Sequence, residues 1–276
     1  MREQKAMTNA APQRISLDIQ GAVAHVRLAR PEKLNGMDFP MLRALVRAAG
    51  EIRRHRHVRA VILSGEGAAF SAGLDFAAVT RKPWEVVKAF VTLGRSTNLF
   101  QRTCWCWREL PVPVIAVLHG RCYGGAMQLA LAADFRIATP DCELSVMEGK
   151  WGLIPDMSGS VSLRELVPID VAKRLTMTAQ VISATEAKAL NLVTEVADDP
   201  MAAAEALAAE LCARSPDAVA GAKALFQRAW SASIRGAFAA ERRIQFQIMR
   251  GPNWRIALRA GLDKRPPQFR ERSFRR

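Results

Sequence analysis

Apolar positions in the first part of the chain alternate with polar ones and then recur every three to four residues. The alternation over residues 15–19 and 23–28 predicts a β-hairpin. Asp38 stands before an amphipathic stretch that reaches residue 54, so we predict a helix with Asp38 as its N-cap. The apolar run 58–63 predicts a buried strand. Strands and helices in this order indicate an α/β protein.

The pattern continues with a longer helix and further strands. Residues 82–110 carry apolar side chains at helical spacing up to a proline, which predicts one long helix. Predicted strands follow at 112–118, 135–138 and 143–147, and a short apolar helix at 127–132 lies between the first two.

After about residue 158 the chain is helical and rich in alanine. Capping residues mark helix starts at Ser183, Asp199 and Ser215, and the pattern over 235–262 predicts one more helix. We divide the chain into a flexible N-terminal segment (1–14), an α/β core (15–200) and a helical region with a basic tail (201–276).

Charge adds a second line of inference, because 40 lysines and arginines face 26 aspartates and glutamates, a formal net charge of +14. Arginines gather over residues 43–59 and 250–276. Such an excess is typical of proteins that bind nucleic acid, a membrane surface or an anionic small molecule. A solvated basic surface explains such runs more often than specific RNA recognition does, so nucleic acid is not the expected partner.

The rest of the composition excludes other classes of protein. Half of the residues are hydrophobic, which excludes wholesale disorder, and no apolar run approaches the roughly 18 residues of a transmembrane helix. Five cysteines without paired spacing predict reduced thiols and no metal site. The N-terminus lacks an apolar signal core, so we expect a cytoplasmic protein.

Two glycine-rich turns, 71–74 and 123–126, each follow an apolar strand. Because glycine has no Cβ, backbone N–H groups in such turns can face a ligand, and the second turn also opens a helix. One N–H group from each turn, aimed at a single oxygen, would form an oxyanion hole. Ordinary strand-to-helix turns have the same pattern, and neither turn matches a phosphate-binding or dinucleotide-binding loop.

Two carboxylates follow the strand predicted at 143–147. Glu148 stands at its end among apolar residues, where burial would raise its pKa toward the range that is useful for proton transfer. Asp156, eight residues further on, is a second candidate. The alternatives are a solvated loop carboxylate for Glu148 and a helix N-cap for Asp156.

Four segments, taken in order, resemble the crotonase superfamily, also called the enoyl-CoA hydratase/isomerase family. They are 30–35 (RPEKLN), 69–75 (AFSAGLD), 119–134 (HG through GGA to Asp134) and 148–159 (Glu148 to Gly159), and the tail segment 261–266 (GLDKRP) also fits. Any one motif is common, but the ordered set is specific and spans about residues 15–267.

The resemblance implies a spiral of ββα units followed by helices that assemble trimers, commonly paired into hexamers. The ligand would be an acyl-CoA thioester whose carbonyl oxygen binds between the N–H groups of Leu74 and Gly125. CoA is then part of the substrate, and no separate cofactor is implied. Its expected contacts are Lys33, Leu34, Ala72 and Lys264, the last from the same or a neighbouring subunit.

One position departs from the family pattern. Family hydratases carry two glutamates, and the first of these positions holds Gln128 here, whereas the second holds Glu148. An amide can hold a water molecule but cannot act as a general acid or base, so isomerisation is expected more than hydration. We assign Glu148 as the principal acid/base, Asp156 as a second one and Gln128 as an orienting group. The alternative is an RNA-binding protein on the same scaffold, which the basic runs 43–59 and 270–276 favour.

Overall fold

The computed structural model describes residues 13–92 and 94–275. Most of the predicted flexible segment 1–14 therefore lies outside the described residues. At the end of that segment, the guanidinium of Arg14 pairs with the carboxylate of Asp38 at 2.8 Å. Asp38 also accepts the backbone N–H of Met41 and caps the first helix, as the sequence predicts.

Strands and helices alternate along the first two thirds of the chain, and helices make up the last third. The strands are β1 (Ile15–Gln20), β2 (Val23–Leu28), β3 (Ala60–Gly65), β4 (Val114–Leu118), β5 (Arg121–Tyr123), β6 (Phe135–Ala138), β7 (Glu143–Ser145), β8 (Ile182–Ser183) and β9 (Glu195–Val196). The helices are α1 (Phe39–Arg54), α2 (Phe76–Thr80), α3 (Pro83–Phe90), α4 (Leu99–Arg108), α5 (Gly125–Leu131), α6 (Gly159–Leu166), α7 (Ile169–Thr178), α8 (Ala184–Ala189), α9 (Pro200–Cys212), α10 (Pro216–Ala229), α11 (Ile234–Met249) and α12 (Pro252–Leu262), and short 3-10 helices span Pro31–Lys33 and Met147–Trp151.

The larger sheet has the strand order β1-β2-β3-β4-β6-β9. The hairpin β1-β2 is antiparallel, and the other neighbours are parallel. Strand β4 is buried along its whole length, as expected for a parallel strand that is covered on both faces. Because parallel strands share a direction, the turns that follow β3 and β4 leave the same edge of the sheet.

The second sheet has the strand order β5-β7-β8, and β5 leads directly into the second glycine turn, 123–126. Isolated parallel bridges join Ser71 to Cys122 and Met37 to Leu74. The loop after β2, the turn after β3 and the strand after β4 therefore run side by side. The stretch β4, β5 and α5 consists of a strand of the larger sheet, a short strand of the second sheet and a helix.

The core lies on both faces of the larger sheet. Helix α1 packs its apolar face on one side of the larger sheet. Helix α5 belongs to the same core cluster and is buried along its whole length. On the other side Ala204 and Ala208 of α9 pack against Ile62 and Ile115. Helix α9 thus packs on the sheet although it opens the predicted helical region, and the boundary at residue 200 stays a prediction.

The single helix predicted over 82–110 is wrong, because the structure has two helices, α3 and α4, in that range. Helix α3 ends at Phe90, because Val91 has extended backbone geometry, and Gly94 in the connecting segment has a left-handed φ of 78°. Asn98 then starts α4 through a reciprocal capping box with Gln101. The amphipathic pattern ran across this break because apolar residues continue at helical spacing on both sides of it.

Two further boundaries differ from the prediction. The helix predicted over 235–262 is interrupted between α11 and α12, where Pro252 lacks an N–H group and disfavours helical geometry at Gly251. The strand predicted over 143–147 is only β7 (Glu143–Ser145), and the chain then turns into the 3-10 helix that carries Glu148.

The basic C-terminal tail packs on the protein. Asp217, which is 1% exposed, accepts the N–H groups of Ser273 and Phe274, and the Phe274 ring is buried. From the basic run 43–59, the guanidinium of Arg56 donates to the carbonyl of Arg272, and that of Arg59 donates to the carbonyl of Phe269. Part of the arginine excess therefore holds the tail and is not free for an external anion.

Candidate active site

The two glycine turns are in direct contact. A Cβ added at Gly73, which has a φ of 92°, would lie 2.6 Å from the carbonyl oxygen of Tyr123 and 3.5 Å from the amide nitrogen of Gly125. This approach requires glycine, both for its conformation and for the missing side chain. The turn after β3 and the helix start after β5 thus form one continuous backbone surface.

The bridge to Met37 fixes the direction of the first candidate oxyanion donor. The N–H of Met37 donates to the carbonyl of Gly73 at 2.8 Å, and the N–H of Asp75 donates to the carbonyl of Met37 at 3.1 Å. A trans peptide points its C=O and N–H groups in opposite directions. The N–H of Leu74, which shares a peptide plane with the Gly73 carbonyl, therefore points away from Met37.

The second candidate donor is the N–H of Gly125, the first residue of α5. The carbonyl of Gly124 accepts the N–H of Gln128 and begins the helix. The first N–H groups of a helix have no partner within it and carry a partial positive charge. The Gly125 N–H is therefore suited to an anionic oxygen, as the turn pattern predicts.

Glu148 lies beside these turns in the 3-10 helix Met147–Trp151. Its side chain is 7% exposed, and its Oε1 lies 3.4 Å from the Cβ position of Gly124. Burial raises the pKa of Glu148 above its ordinary value, and the charge of Asp156 adds to this rise, although the hydrogen bond from Gln128 opposes it. Its Oε2 is buried and has no hydrogen-bond partner among the described residues. The solvated loop carboxylate weighed from the sequence is therefore wrong.

Gln128 on α5 is 1% exposed, and its orientation is fixed at both ends. Its Oε1 accepts the backbone N–H groups of Met157 at 2.7 Å and Gly159 at 2.9 Å. Its Nε2 must then face Glu148 and donates to Oε1 of that residue at 2.6 Å. The amide thus occupies one carboxylate oxygen of Glu148 and leaves the other available.

Asp156 is half-buried near Glu148. Burial raises the pKa of its carboxyl group. The residue before α6 is Ser158, which makes no side-chain cap, so the N-cap alternative for Asp156 is wrong. Asp156 lines a cavity of about 650 Å³ together with Thr97, Trp105 and Ile154. Asp156 therefore lines a cleft of the size that small ligands occupy and is near enough to Glu148 for its charge to act there.

Three of the four predicted CoA contacts lie together. The N–H of Ala72 donates to the carbonyl of Leu34 at 2.9 Å, and Lys33 is exposed next to it and lowers the pKa of Asp75 by its charge. Lys264 follows α12 and is also exposed. Within the described part of the chain, no hydrogen bond or ion pair joins Lys264 to this loop.

A buried polar network behind the turns was missed by the sequence reasoning. The side-chain amide of Asn35 donates to the backbone carbonyls of Glu66 and Ala69, and the backbone carbonyl of Asn35 accepts the hydroxyl of Ser71. Arg30 donates to the carboxylate of Asp75. These residues stand inside the segments that carried the family resemblance, but the sequence gives no sign that their side chains are buried.

Neither a membrane-spanning helix nor a metal-binding cluster is found in residues 13–92 and 94–275. No helix there is long and apolar enough to cross a bilayer. No group of three or more His, Cys, Asp or Glu side chains in that part is placed to hold a metal ion.

Comparison with known proteins decides the family. The model of the enoyl-CoA hydratase/isomerase family matches residues 18–272 of the chain. The chain belongs to this family. Among family members, the short-chain-enoyl-CoA hydratase of Clostridium acetobutylicum is 31% identical over 91% of this chain and 95% of its own length. The mitochondrial Δ(3,5)-Δ(2,4)-dienoyl-CoA isomerase of Rattus norvegicus is 35% identical over 74% of this chain and 65% of its own length.

Solved structures of the family confirm the fold. The enoyl-CoA hydratase of Polaromonas sp. JS666 superposes with a TM-score of 0.84 at 30% identity, over 93% of this chain and 99% of that one. The enoyl-CoA hydratase of Bacillus anthracis gives a TM-score of 0.85 at 28% identity, over 93% and 99%. The crotonase-type α/β fold and an enzymatic role in the hydratase/isomerase family are thereby established, whereas the RNA-binding alternative receives no support.

Proposed function

We propose that the chain is an acyl-CoA isomerase that moves the double bonds of a 3,5-dienoyl-CoA or a 3-enoyl-CoA into conjugation with the thioester. Glu148 acts as the principal acid/base, Asp156 acts as a second proton carrier, and the thioester oxygen binds between the N–H groups of Leu74 and Gly125. The proposed chemistry uses no cofactor, because CoA is part of the substrate.

One observation carries this proposal: the locked amide of Gln128. Syn-hydration by two carboxylates needs one group to activate water and another to protonate the α-carbon. Gln128 has no titratable proton, and its NH₂ group already donates to Glu148. Glu148 therefore works without a carboxylate partner at position 128, and the nearby second carboxyl is that of Asp156.

The proposed proton transfers are balanced within the site. Glu148, ionised, removes a proton from C2, and the electron pair moves into the thioester as an enolate. In a 3,5-dienoyl-CoA the negative charge also reaches C6, where protonated Asp156 delivers a proton to give the 2,4-dienoyl product. Exchange with solvent then restores both carboxyl groups. In a 3-enoyl-CoA the proton is delivered at C4.

Burial of the two carboxyl groups assists the proposed proton transfers. Glu148 and Asp156 both have raised pKa values, for which burial is the largest cause. A base whose pKa lies near the operating pH is strong enough to take the proton and weak enough to release it. The enolate oxygen would be stabilised by two backbone donors, and the loss of one such donor typically costs about 10²–10³-fold in rate.

The relatives support this choice without deciding it. Both enoyl-CoA hydratases and dienoyl-CoA isomerases are similar to the chain over most of its length. For the anionic end of the substrate we propose contacts with Lys33 and with Lys264 of a neighbouring subunit in a homotrimer or hexamer. Exposed apolar side chains on the C-terminal helices, among them Trp230, Ile234 and Phe238, would be covered in such an assembly.

The test is to identify products from three substrates. The purified protein is incubated separately with 2-enoyl-, 3-enoyl- and 3,5-dienoyl-CoA, and the products are followed by mass and ultraviolet absorbance. We expect conjugated products of unchanged mass from the 3-enoyl or 3,5-dienoyl substrate. A product heavier by one water molecule, formed from 2-enoyl-CoA at a comparable rate, would contradict the assigned role of Gln128.

Solvent deuterium gives an independent control. Isomerisation by carboxylates that exchange with solvent incorporates deuterium at the protonated carbon when the reaction runs in D₂O. Product without deuterium would show that the proton stays within the site, in which case Glu148 alone carries it and Asp156 has no proton-transfer role.

A further inference from the structure

We infer that Arg30 is a positioning residue for the Leu74 oxyanion donor. One nitrogen of its guanidinium donates hydrogen bonds to residues of both of the backbone segments, one at Gly36 and one at Asp75, that orient the Leu74 peptide. The inference rests on the proposed function, because it assigns a role to a residue behind the proposed oxyanion hole. Arg30 does not touch the place that the substrate would occupy and acts through Gly36 and Asp75.

The contacts of Arg30 are specific. Its Nη1 donates to the carbonyl oxygen of Gly36 at 2.7 Å and to Oδ2 of Asp75 at 2.8 Å. Gly36 immediately precedes Met37, and Asp75 immediately follows Leu74. One nitrogen therefore holds the residues on either side of the Met37–Leu74 bridge, and this bridge sets the direction of the Leu74 N–H.

The surroundings hold the guanidinium in this position. Arg30 is 8% exposed, and its backbone N–H donates to Oδ1 of the buried Asn35. A planar guanidinium with fixed donors loses little conformational freedom when it bridges two acceptors, and a charge-assisted hydrogen bond is stronger than a neutral one. The pair is thus suited to hold a backbone direction.

Asp75 connects the bridge to the helix that follows. Its Oδ1 accepts the N–H of Ala78 and caps α2, while its Oδ2 accepts from Arg30. Burial alone would raise the pKa of Asp75, but the two hydrogen bonds together with the charges of Arg30 and Lys33 outweigh burial and lower it. Asp75 therefore stays ionised and bound to Arg30 throughout the neutral range.

The same turn is held from its other side by uncharged groups. The hydroxyl of Ser71 donates to the carbonyl of Asn35 at 2.8 Å and accepts the N–H of Gly73 at 3.1 Å. With these bonds in place, loss of the Arg30 contact would loosen the Leu74 peptide and leave the turn folded. Small misplacements of this kind can lower a rate by about 10²-fold.

The experiment compares Arg30→Met and Asp75→Asn with the matched control Arg14→Met. Arg14 makes an ion pair of the same length with Asp38, which also caps a helix, but it makes no contact with Asp75. Asp38 lies 3.9 Å from Nη1 of Arg30, so Arg14→Met also controls for a change at this shared carboxylate. Acetoacetyl-CoA serves as the probe, because this β-keto thioester ionises to an enolate whose ultraviolet absorbance reports how well the site stabilises the oxyanion. Free CoA binding and thermal unfolding are measured in parallel.

We expect Arg30→Met and Asp75→Asn each to weaken enolate binding and to lower kcat by about 10-fold or more, with little change in CoA affinity. The double variant should lose little beyond either single one, because the two residues act as a pair. Arg14→Met should lower the unfolding temperature and keep the enolate absorbance. Asp75→Asn retains an oxygen for the α2 cap and provides the comparison if Arg30→Met fails to fold.

The possible results separate this inference from the proposed function. If wild-type protein stabilises the enolate and isomerises neither substrate, the proposed reaction is wrong, while the variants still measure the role of Arg30. If the Arg30 and Asp75 variants match Arg14→Met in enolate absorbance and kcat, the positioning role is overturned. Failure of the wild-type protein to bind the enolate would overturn the oxyanion hole and this inference with it.

Discussion

The reaction centre and the outer wall of the cleft are built in different ways. The reaction centre that we propose consists of the turns 71–75 and 123–128 with Glu148, and main-chain hydrogen bonds and buried polar side chains fix these segments from several directions. The outer wall consists of residues 96–97, Trp105 of α4 and the loop 154–155, whose side chains line the cleft, and Ile154 there is 74% exposed.

From this difference we expect the reaction centre to determine which reaction occurs and the outer wall to determine which acyl group binds. Backbone donors at glycine turns depend little on side-chain identity, so the reaction centre can be shared by relatives that catalyse different reactions. The outer wall consists of side chains on short helices and loops, which substitution can change without disturbing the sheet. The reaction type should then depend on Gln128, Glu148 and Asp156, and the acyl group should be selected by the wall.

The largest effect is expected from Glu148→Gln. Without its proton carrier the protein should lose about 10²–10⁴-fold in the kcat of the proposed isomerisation, while binding of the CoA ester survives because the backbone donors are unchanged. Turnover and equilibrium binding of the substrate measure the two quantities. The exposed Glu51 on α1 is the matched control, and Glu51→Gln should keep its activity. Near-normal turnover of Glu148→Gln would remove Glu148 from the mechanism.

Substitution of Gln128 by glutamate should change the reaction itself. The new carboxylate can accept the N–H groups of Met157 and Gly159 as the amide does, and its other oxygen faces Glu148. We expect Gln128→Glu to raise hydration of 2-enoyl-CoA by about 10-fold or more, since general acid–base catalysis contributes at least that much. Gln128→Met, which has a similar volume and no proton carrier, should show no gain in hydration.

Burial of Glu148 should also appear in the dependence of stability on pH. Because its pKa is raised in the folded protein, its contribution favours folding below the unfolded pKa of about 4.3 and is lost as the pH rises through the folded value. Glu148→Gln should therefore raise the unfolding temperature at neutral pH and have less effect at pH 4. Calorimetry at both pH values measures this, and an equal shift at both would contradict it.

The smallest effect is expected in the outer wall. Ile154→Ala shortens an exposed side chain that lines the cleft, so we expect little change in unfolding temperature and a change of about 10-fold or less in the preference between short and long acyl chains. The ratio of kcat/KM for C4 and C10 substrates measures this preference. A loss of activity that is equal for all chain lengths would place Ile154 with the reaction centre instead.

The sequence could predict the elements with strong local signals. Alternation predicted the β1-β2 hairpin, Asp38 predicted the start of α1, and Ser183 with Glu186 predicted the capping box of α8. It failed where a local conformation broke a continuing pattern, at Gly94 and before Pro252. Apolar spacing is the same on both sides of such a break, and so it does not reveal the break.

The sequence by itself determined the class of fold, the family resemblance and the replacement of a carboxylate by Gln128. Only the tertiary structure decided which way that amide points, because two backbone N–H groups about 30 residues further along the chain hold its oxygen. It also showed that a positively charged residue, Arg30, is buried behind the turn, and that arginines of the loop after α1 contact the C-terminal tail. These facts depend on residues distant in sequence, whose contacts no local pattern contains.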